Sequence, residues 1–247
     1  MRYYSIHFTI DKKIRGSNDY IKNYNLLIPN KNKLYFEEPK FIGNINHTKI
    51  DFIPYLLEIE LFKKSKVHDL ILEGGPVANY LIVSEKLKEL IEKYRNHGMQ
   101  FFNISLIDAY QKHKNYWLLN MYEFSHTYID FGNSLIYYEK QNADFKISYK
   151  IEKTLLKVKN ISEFMEYIEM AKIKLENIYI EKLCLKSEIP DDFFALKYVF
   201  GSMYYVSEKL KKEIEDAGCT GIEFQPAELS SIEWSHGGER EKIYGKA

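Results

Sequence analysis

Hydrophobic and polar residues alternate along much of the chain with the two-residue period that is typical of β-strands. Each alternating segment is short, and most are bounded by turn-forming residues, as in sheets with one buried face. The pattern predicts strands at residues 3–10, 99–107, 116–124, 128–131 and 177–185.

Three other segments carry apolar residues at intervals of three and four, as in a helix with one face on a sheet. They begin at Ser84, Ser162 and Ser207, each of which is placed to cap its helix. A serine hydroxyl there accepts an otherwise unpaired amide and stabilises the helix by about 1 kcal/mol. Many strands with a few such helices predict an α+β fold with largely antiparallel sheets.

Three segments are less regular. Residues 51–62 mix both periods, so helix and strand both remain possible there. Residues 11–50 contain several Pro, Gly and Asn residues, and we expect an irregular lead-in with short strands. From Ser235 onward the chain is rich in Gly, Lys and Glu, and we expect a frayed tail.

One hexamer occurs twice. Val-Ser-Glu-Lys-Leu-Lys stands at residues 83–88 and again at 206–211, an offset of 123 that also aligns Gly98 with Gly221. The repeat predicts one strand-helix-strand unit used twice, in which these two glycines end the helices. We therefore expect two related halves, residues 1–125 and 126–247, which could still form one continuous domain.

Composition excludes several classes of protein. The 247 residues include 35 basic and 35 acidic side chains, so net charge gives no sign of nucleic-acid binding. No apolar run is long enough to cross a membrane, and the N-terminus lacks the apolar core of a signal peptide. Cys184 and Cys219 are too few for a disulfide framework. These features together predict a cytoplasmic protein.

Motifs for cofactor or metal chemistry are missing from the sequence. There is no phosphate-binding loop, no Gly-x-Ser-x-Gly nucleophile motif and no His-Glu-x-x-His. The seven histidines are dispersed, so we expect neither a metal site nor a cofactor. They are His7, His47, His68, His97, His113, His126 and His236.

One pair of residues has the chemistry of an acid and a base. His126 and Asp130 flank a predicted strand start, with Tyr128 and Ser134 nearby. An enzyme would use these side chains, whereas the simpler interpretation is a loop held by polar anchors.

Two acidic pairs lie in turn-like segments. They are Glu37–Glu38 and Asp191–Asp192. Both pairs can be ordinary solvated loop ends. Both can also contact a basic partner, since opposite charges speed the encounter of two proteins.

Taken in order, several segments resemble a family of bacterial immunity proteins from polymorphic-toxin systems, first defined on a myxobacterial immunity domain. The resemblance covers residues 68–229 and leaves out residues 1–50. The family's usual proline after the first helix is Asn103 here, whereas Pro226 is kept in the second copy. The segments are residues 80–88 with 100–106, Tyr116-Trp117-Leu118-Leu119-Asn120, Ile129-Asp130 with Ser134, Asp192-Phe193-Phe194, Val206-Ser207-Glu208 and Gly221-Ile222-Glu223-Phe224-Gln225-Pro226.

The resemblance implies a cytoplasmic, non-enzymatic protein that binds and neutralises one cognate toxin without a cofactor. It does not identify the toxin, the binding residues or the oligomeric state. Two alternatives stay open: an enzyme with a polar site near His126 and Asp130, and another intracellular, defence-associated binding module.

Overall fold

A computed structural model describes residues 1–29, 34–71, 74–78, 80–142, 150–235 and 237–246. The fold is α+β with mostly antiparallel sheets, which confirms the prediction. The strands are β1 (Tyr3–Phe8), β2 (Ile21–Leu26), β3 (Leu57–Leu61), β4 (Leu70–Ile71), β5 (Leu81–Ser84), β6 (Met99–Ile107), β7 (Lys112–Met121), β8 (Leu135–Asn142), β9 (Lys150–Leu156), β10 (Asn177–Lys182), β11 (Phe193–Ala195), β12 (Tyr204–Ser207) and β13 (Ile222–Pro226).

Short α-helices connect these strands and follow the last of them. They are α1 (Lys12–Arg15), α2 (Glu85–Tyr94), α3 (Ile161–Lys174), α4 (Glu208–Asp216), α5 (Ser231–Trp234) and α6 (Glu239–Tyr244). Single 3-10 turns occur at Tyr35–Glu37, Ile42–Asn44, Gly75–Val77 and His126–Tyr128. Within the described residues, no helix has the length and apolar character needed to cross a lipid bilayer.

The strands form three sheets. Their orders are β2-β3-β6-β7-β5-β4, β11-β12-β1-β13 and β10-β8-β9. In the six-stranded sheet, β3 and β6 are parallel and the other neighbours are antiparallel.

The chain forms two compact units, each built from separate segments. The first consists of Met1–Ser5, Ser125–Glu208 and Gln225–Gly245, and the second mainly of Ile6–Phe124 and Lys209–Phe224. The division of the sequence into related halves at residue 125 remains a prediction.

The core of the first unit includes the apolar face of α3. Phe164, Ile168 and Ala171 lie on that face and are buried. Asn160 caps α3, because its Oδ1 accepts the N–H of Glu163 at 3.0 Å. The prediction that Ser162 is the cap was therefore wrong; the helix begins one residue earlier, at Ile161.

The core of the second unit lies around the six-stranded sheet. Residues 51–62, which the sequence left open, contain β3, whose Leu57, Ile59 and Leu61 are buried while the two glutamates between them are less so. That alternation follows the period of a strand with one buried face.

Two further sequence-based predictions were wrong. The predicted strand at 128–131 is a 3-10 turn at His126–Tyr128, followed by a single bridge from Ile129 to Leu185. The tail is folded: α6 lies beyond Ser235, and its Arg240 is buried and donates to the Gly245 carbonyl at 2.9 Å. The sequence analysis did not predict this short helix because the segment is rich in charged residues.

The repeat forms strand-helix-strand units, β5-α2-β6 and β12-α4-β13, as the hexamers predict. It extends further back than the sequence showed. In the first copy Leu70 pairs with Val83, and in the second copy Phe193 pairs with Val206, with the same offset. Each copy therefore includes the preceding strand, β4 or β11.

The third strand differs between the copies in its place in the chain. The sheet positions β4-β5-β7-β6 and β11-β12-β1-β13 correspond, so β1 stands where β7 stands in the first copy. The register agrees: Ser84 pairs with Tyr116, and Ser207 pairs with Tyr3. The N-terminal strand thus completes the second copy of the motif.

Candidate partner-binding surface

The His126 and Asp130 side chains make separate structural contacts. His126 Nε2 accepts the backbone N–H of Lys197 at 3.2 Å, and burial lowers the pKa of this imidazole. Asp130 accepts both the backbone and the side-chain N–H of Asn133, the latter at 2.8 Å. These bonds hold loops in place and draw the two side chains toward different partners.

Ser134 and Tyr128 also have structural partners. The Ser134 hydroxyl donates to the Asp130 carbonyl at 2.7 Å and accepts the Cys184 N–H at 3.0 Å. Tyr128 donates its phenol proton to Asp191 at 2.9 Å. Each of these four side chains therefore has a hydrogen bond that helps to hold the local fold.

No group of three His, Cys, Asp or Glu side chains among the described residues could hold a metal ion. His236 lies outside the described residues. Cys184 and Cys219 are both free thiols, and burial raises the pKa of Cys219 to about 11. At neutral pH that thiol is protonated, so it is a poor nucleophile.

Each repeated serine is bound to an aspartate that the repeat also aligns. Asp69 accepts the Ser84 N–H and the Ser84 hydroxyl, both at 2.7 Å. Asp192 accepts the Ser207 N–H at 2.8 Å and also the Ser207 hydroxyl. Ser84 additionally accepts the Leu87 N–H at 3.3 Å, as the cap of α2. These bonds therefore join the start of each helix to the aspartate that directly precedes β4 or β11.

The second carboxylate oxygen of Asp69 has further donors. It accepts the Thr220 N–H at 2.8 Å and lies 3.2 Å from Lys86 Nζ. Burial alone would raise the pKa of Asp69, but the hydrogen bonds from Ser84, Thr220 and Lys86 lower it below the ordinary value. These contacts give Asp69 a structural role.

Gly98 and Gly221 lie just before β6 and β13, beyond the helix ends. α2 already ends at its C-cap Arg95 and α4 ends at Asp216, so the predictions that Gly98 and Gly221 end these helices were wrong. Both glycines have positive φ, +71° and +81°, where other residues are strained. Their carbonyls accept equivalent N–H groups, from Tyr122 and Thr9, at 2.9 Å. Both are turn residues of the repeated motif.

Large apolar side chains are exposed on two neighbouring loops of the second unit. We call Leu34, Tyr35, Phe36, Phe52 and Ile53 the aromatic surface. Phe36 is 63% exposed and Ile53 is 88% exposed, and the other three are also classed as exposed. Such a concentration of apolar groups is unusual on a soluble protein.

Backbone contacts hold the two loops of the aromatic surface together. Tyr55 N–H donates to the Lys40 carbonyl at 2.8 Å, and Phe41 forms a bridge with Tyr55. The Lys40 ammonium lies 5.9 Å from the centre of the Phe52 ring. The loops at 34–41 and 51–55 therefore run side by side.

The side-chain amide of Asn44 holds the loop at 34–41 in place. Asn44 Nδ2 donates to the carbonyls of Tyr35 and Glu38, at 2.6 and 2.8 Å. The Tyr35 ring packs edge-on against Phe41, which is fully buried. The exposed aromatic groups thus stand on a backbone with defined geometry.

Of the two predicted acidic pairs, Glu37–Glu38 directly follows Phe36 of the aromatic surface. Glu37 is exposed, and its carboxylate accepts the Leu34 N–H at 3.3 Å. Asp191 and Asp192 are half-buried and bind Tyr128 and Ser207. The partner contacts predicted for these pairs remain a prediction, and the geometry favours the first pair.

A second open feature of the same unit is a hollow of about 660 Å³, which we call the basic hollow. Lys63, Lys64, Lys66, His113 and the 87% exposed Tyr110 line it. It lies after β3, whereas the aromatic surface lies before that strand. Lysines on such a loop are well hydrated and are depleted at the centres of protein interfaces.

Comparison with known protein families gives one match. Residues 2–229 match a family model described as an immunity protein family, Imm11. No curated protein matches the chain. The match includes residues 2–50, so the prediction that this segment lies outside the resemblance was wrong. β1 accounts for the first residues of this segment, because it belongs to the sheet of the second repeat copy.

Proposed function

Because the chain belongs to the Imm11 family of immunity proteins, we propose that it binds one cognate bacterial toxin and neutralises it. Binding would occur in the cytoplasm of the producing cell and protect that cell. The family match over nearly the whole chain is the observation that carries the proposal.

Inhibition by binding agrees with the polar groups described above. The family suggests a non-enzymatic role. His126, Asp130, Ser134 and Tyr128 each make a hydrogen bond that supports the local fold. A stoichiometric inhibitor must instead hold the toxin at cellular concentrations, which requires a dissociation constant of roughly nanomolar order.

The test is co-expression with the toxin encoded immediately upstream of the immunity gene. We expect cells that express both proteins to survive and the purified proteins to form a complex. Death of the co-expressing cells, together with no complex by size-exclusion chromatography, would refute the proposal.

A His126→Ala variant separates binding from enzymatic inactivation. We expect it to protect cells as the wild type does, once circular dichroism shows that it is folded. An enzyme that depends on this imidazole would lose protection while still binding the toxin.

A further inference from the structure

We propose that the aromatic surface is the face that contacts the cognate toxin, and that it fits an apolar depression edged by Lys and Arg residues. This inference rests on the proposed function, since it names the partner and the contact site of the same activity. It assigns Glu37, Glu38 and Asp51 to the rim of the contact.

The composition of the aromatic surface is that of an interface centre. Tyr35, Phe36 and Phe52 are aromatic, and aromatic residues are enriched at interfaces and carry much of their binding energy. Phe36 and Ile53 protrude most, at 63% and 88% exposure. Leaving such groups in water is costly, and a partner that covers them recovers that free energy.

The surface is also pre-organised, which raises affinity. Asn44 fixes the carbonyls of Tyr35 and Glu38, and the loop at 51–55 pairs with the first through Lys40 and Tyr55. A partner therefore does not have to order a flexible loop, and less conformational entropy is lost on binding.

The charges around the aromatic surface indicate a basic partner. Among the described residues of 34–41 and 49–55 there are three carboxylates, on Glu37, Glu38 and Asp51, against two ammonium groups, on Lys40 and Lys49. A symmetric contact with a second copy would bring the carboxylates of both copies together. Like charges in contact disfavour that pairing, whereas a toxin surface edged with Lys and Arg complements the rim.

Other surfaces fit a protein partner less well. The end of α3 exposes Ile173 and Leu175, at 83% and 91%, but it has no aromatic group. The basic hollow has Tyr110 as its one phenyl-type ring, and the rest of its lining includes three lysines and Asp108. Neither combines several exposed aromatic groups, a fixed backbone and an excess of carboxylates at the rim.

The experiment measures toxin affinity by titration calorimetry for three single variants. We expect Phe36→Ala and Ile53→Ala each to weaken binding by about 30-fold, the loss typical of an interface hot spot. Asp51→Lys should weaken binding by about tenfold, mainly through slower association, with a changed salt dependence.

Matched controls lie in the first unit. Ile173→Ala removes an equally exposed aliphatic side chain, and Glu166→Lys reverses an equally exposed charge. Both should bind the toxin as the wild type does. Thermal unfolding of every variant confirms that a loss of affinity does not come from a loss of fold.

The outcomes are distinct. If the wild type neither binds the toxin nor protects cells, the proposed function fails. If the wild type binds and the Phe36 and Ile53 variants bind equally well, only the inference fails. If the wild type is a dimer that Phe36→Ala converts to a monomer without weakening the toxin complex, the surface is a self-association face and the inference is overturned.

Discussion

At the scale of single residues, the repeated serines show how the motif is stabilised. Ser84 and Ser207 are nearly or fully buried, and each gives its hydroxyl proton to an aspartate at the same sequence offset. A hydrogen bond to a charged group contributes more than a neutral one, and its loss leaves a carboxylate with fewer donors.

We therefore expect Ser207→Ala and Ser84→Ala each to lower the free energy of unfolding by about 1.5–3 kcal/mol. Urea denaturation measures this. Ser162→Ala is the control, because Ser162 is exposed and is not the cap of α3; it should change stability by less than about 0.5 kcal/mol. Equal losses of unfolding free energy at all three serines would contradict the stabilising role of Ser84 and Ser207.

His7 gives the fold a dependence on pH. Burial lowers its pKa to about 4, although the nearby Glu223 charge opposes the shift. The unfolded chain binds a proton near pH 6.5. Stability from the neutral imidazole is thus complete above about pH 6.5 and is lost as pH falls toward 4.

We expect the free energy of unfolding to fall by roughly 2 to 3 kcal/mol between pH 6.5 and 4 because of His7. The register of β1 and β7 places His7 where Asn120 stands in the first copy. A His7→Asn variant should therefore flatten the profile in chemical denaturation. The control is His97→Asn at an exposed histidine, which should leave the change in unfolding free energy with pH as in the wild type. If His7→Asn also leaves that change unaltered, His7 is not its source.

At the scale of elements, the loop that carries Tyr35 and Phe36 depends on one amide. Asn44→Ala removes both hydrogen bonds beneath the loop, so the loop becomes more mobile before binding. We expect a loss of toxin affinity of about tenfold with a small change in stability, measured by calorimetry and by thermal unfolding.

Asn103→Ala is the matched control for that variant. Its Nδ2 also donates to two carbonyls, those of Lys114 and Tyr116, at 2.8 and 3.2 Å. It lies on β6, away in sequence from both loops of the aromatic surface. Equal losses of affinity in the two variants would show that Asn44 has no special role.

Sequence patterns predicted the elements whose residues follow one clear period. Examples are the helices that follow Ser84 and Ser207 and the strand β6, because one face of each is buried. Asp69 was missed, and Asp192 was named without its structural role, because a single aspartate before a strand has no period. The 123-residue offset that aligns Ser84 with Ser207 also aligns these aspartates, and it could have found them.

The candidate site was only partly predictable. Glu37 and Glu38 stand out in the sequence as an acidic pair. Phe36 and Ile53 look like core residues there, because hydropathy alone does not show which apolar side chains remain exposed. The loops become neighbours through backbone pairing between Lys40 and Tyr55, which no sequence pattern announces.

At the scale of the whole molecule, the four-stranded sheet depends on the strand β1. β1 lies between β12 and β13 in its sheet, and Tyr3, Tyr4, Ser5 and Ile6 are buried. Removing a strand from inside a sheet exposes both neighbours and their apolar faces.

We expect a chain that lacks residues 2–8 to be insoluble or unfolded by circular dichroism. A synthetic peptide of residues 1–10, added during refolding, should restore the native spectrum, because it supplies the missing strand. A truncated chain that stays folded and keeps a cooperative thermal transition would contradict the importance of β1.

The position of β1 also sets an order of events during translation. The ribosome makes β1 long before its sheet neighbours, β12 and β13, since Tyr3 pairs with Ser207, which lies 204 residues later in the chain. Such distant pairing is slow to form and leaves nascent segments exposed. The four-stranded sheet can therefore close only after residue 226 has left the ribosome, so a chain that stops earlier lacks a complete second motif.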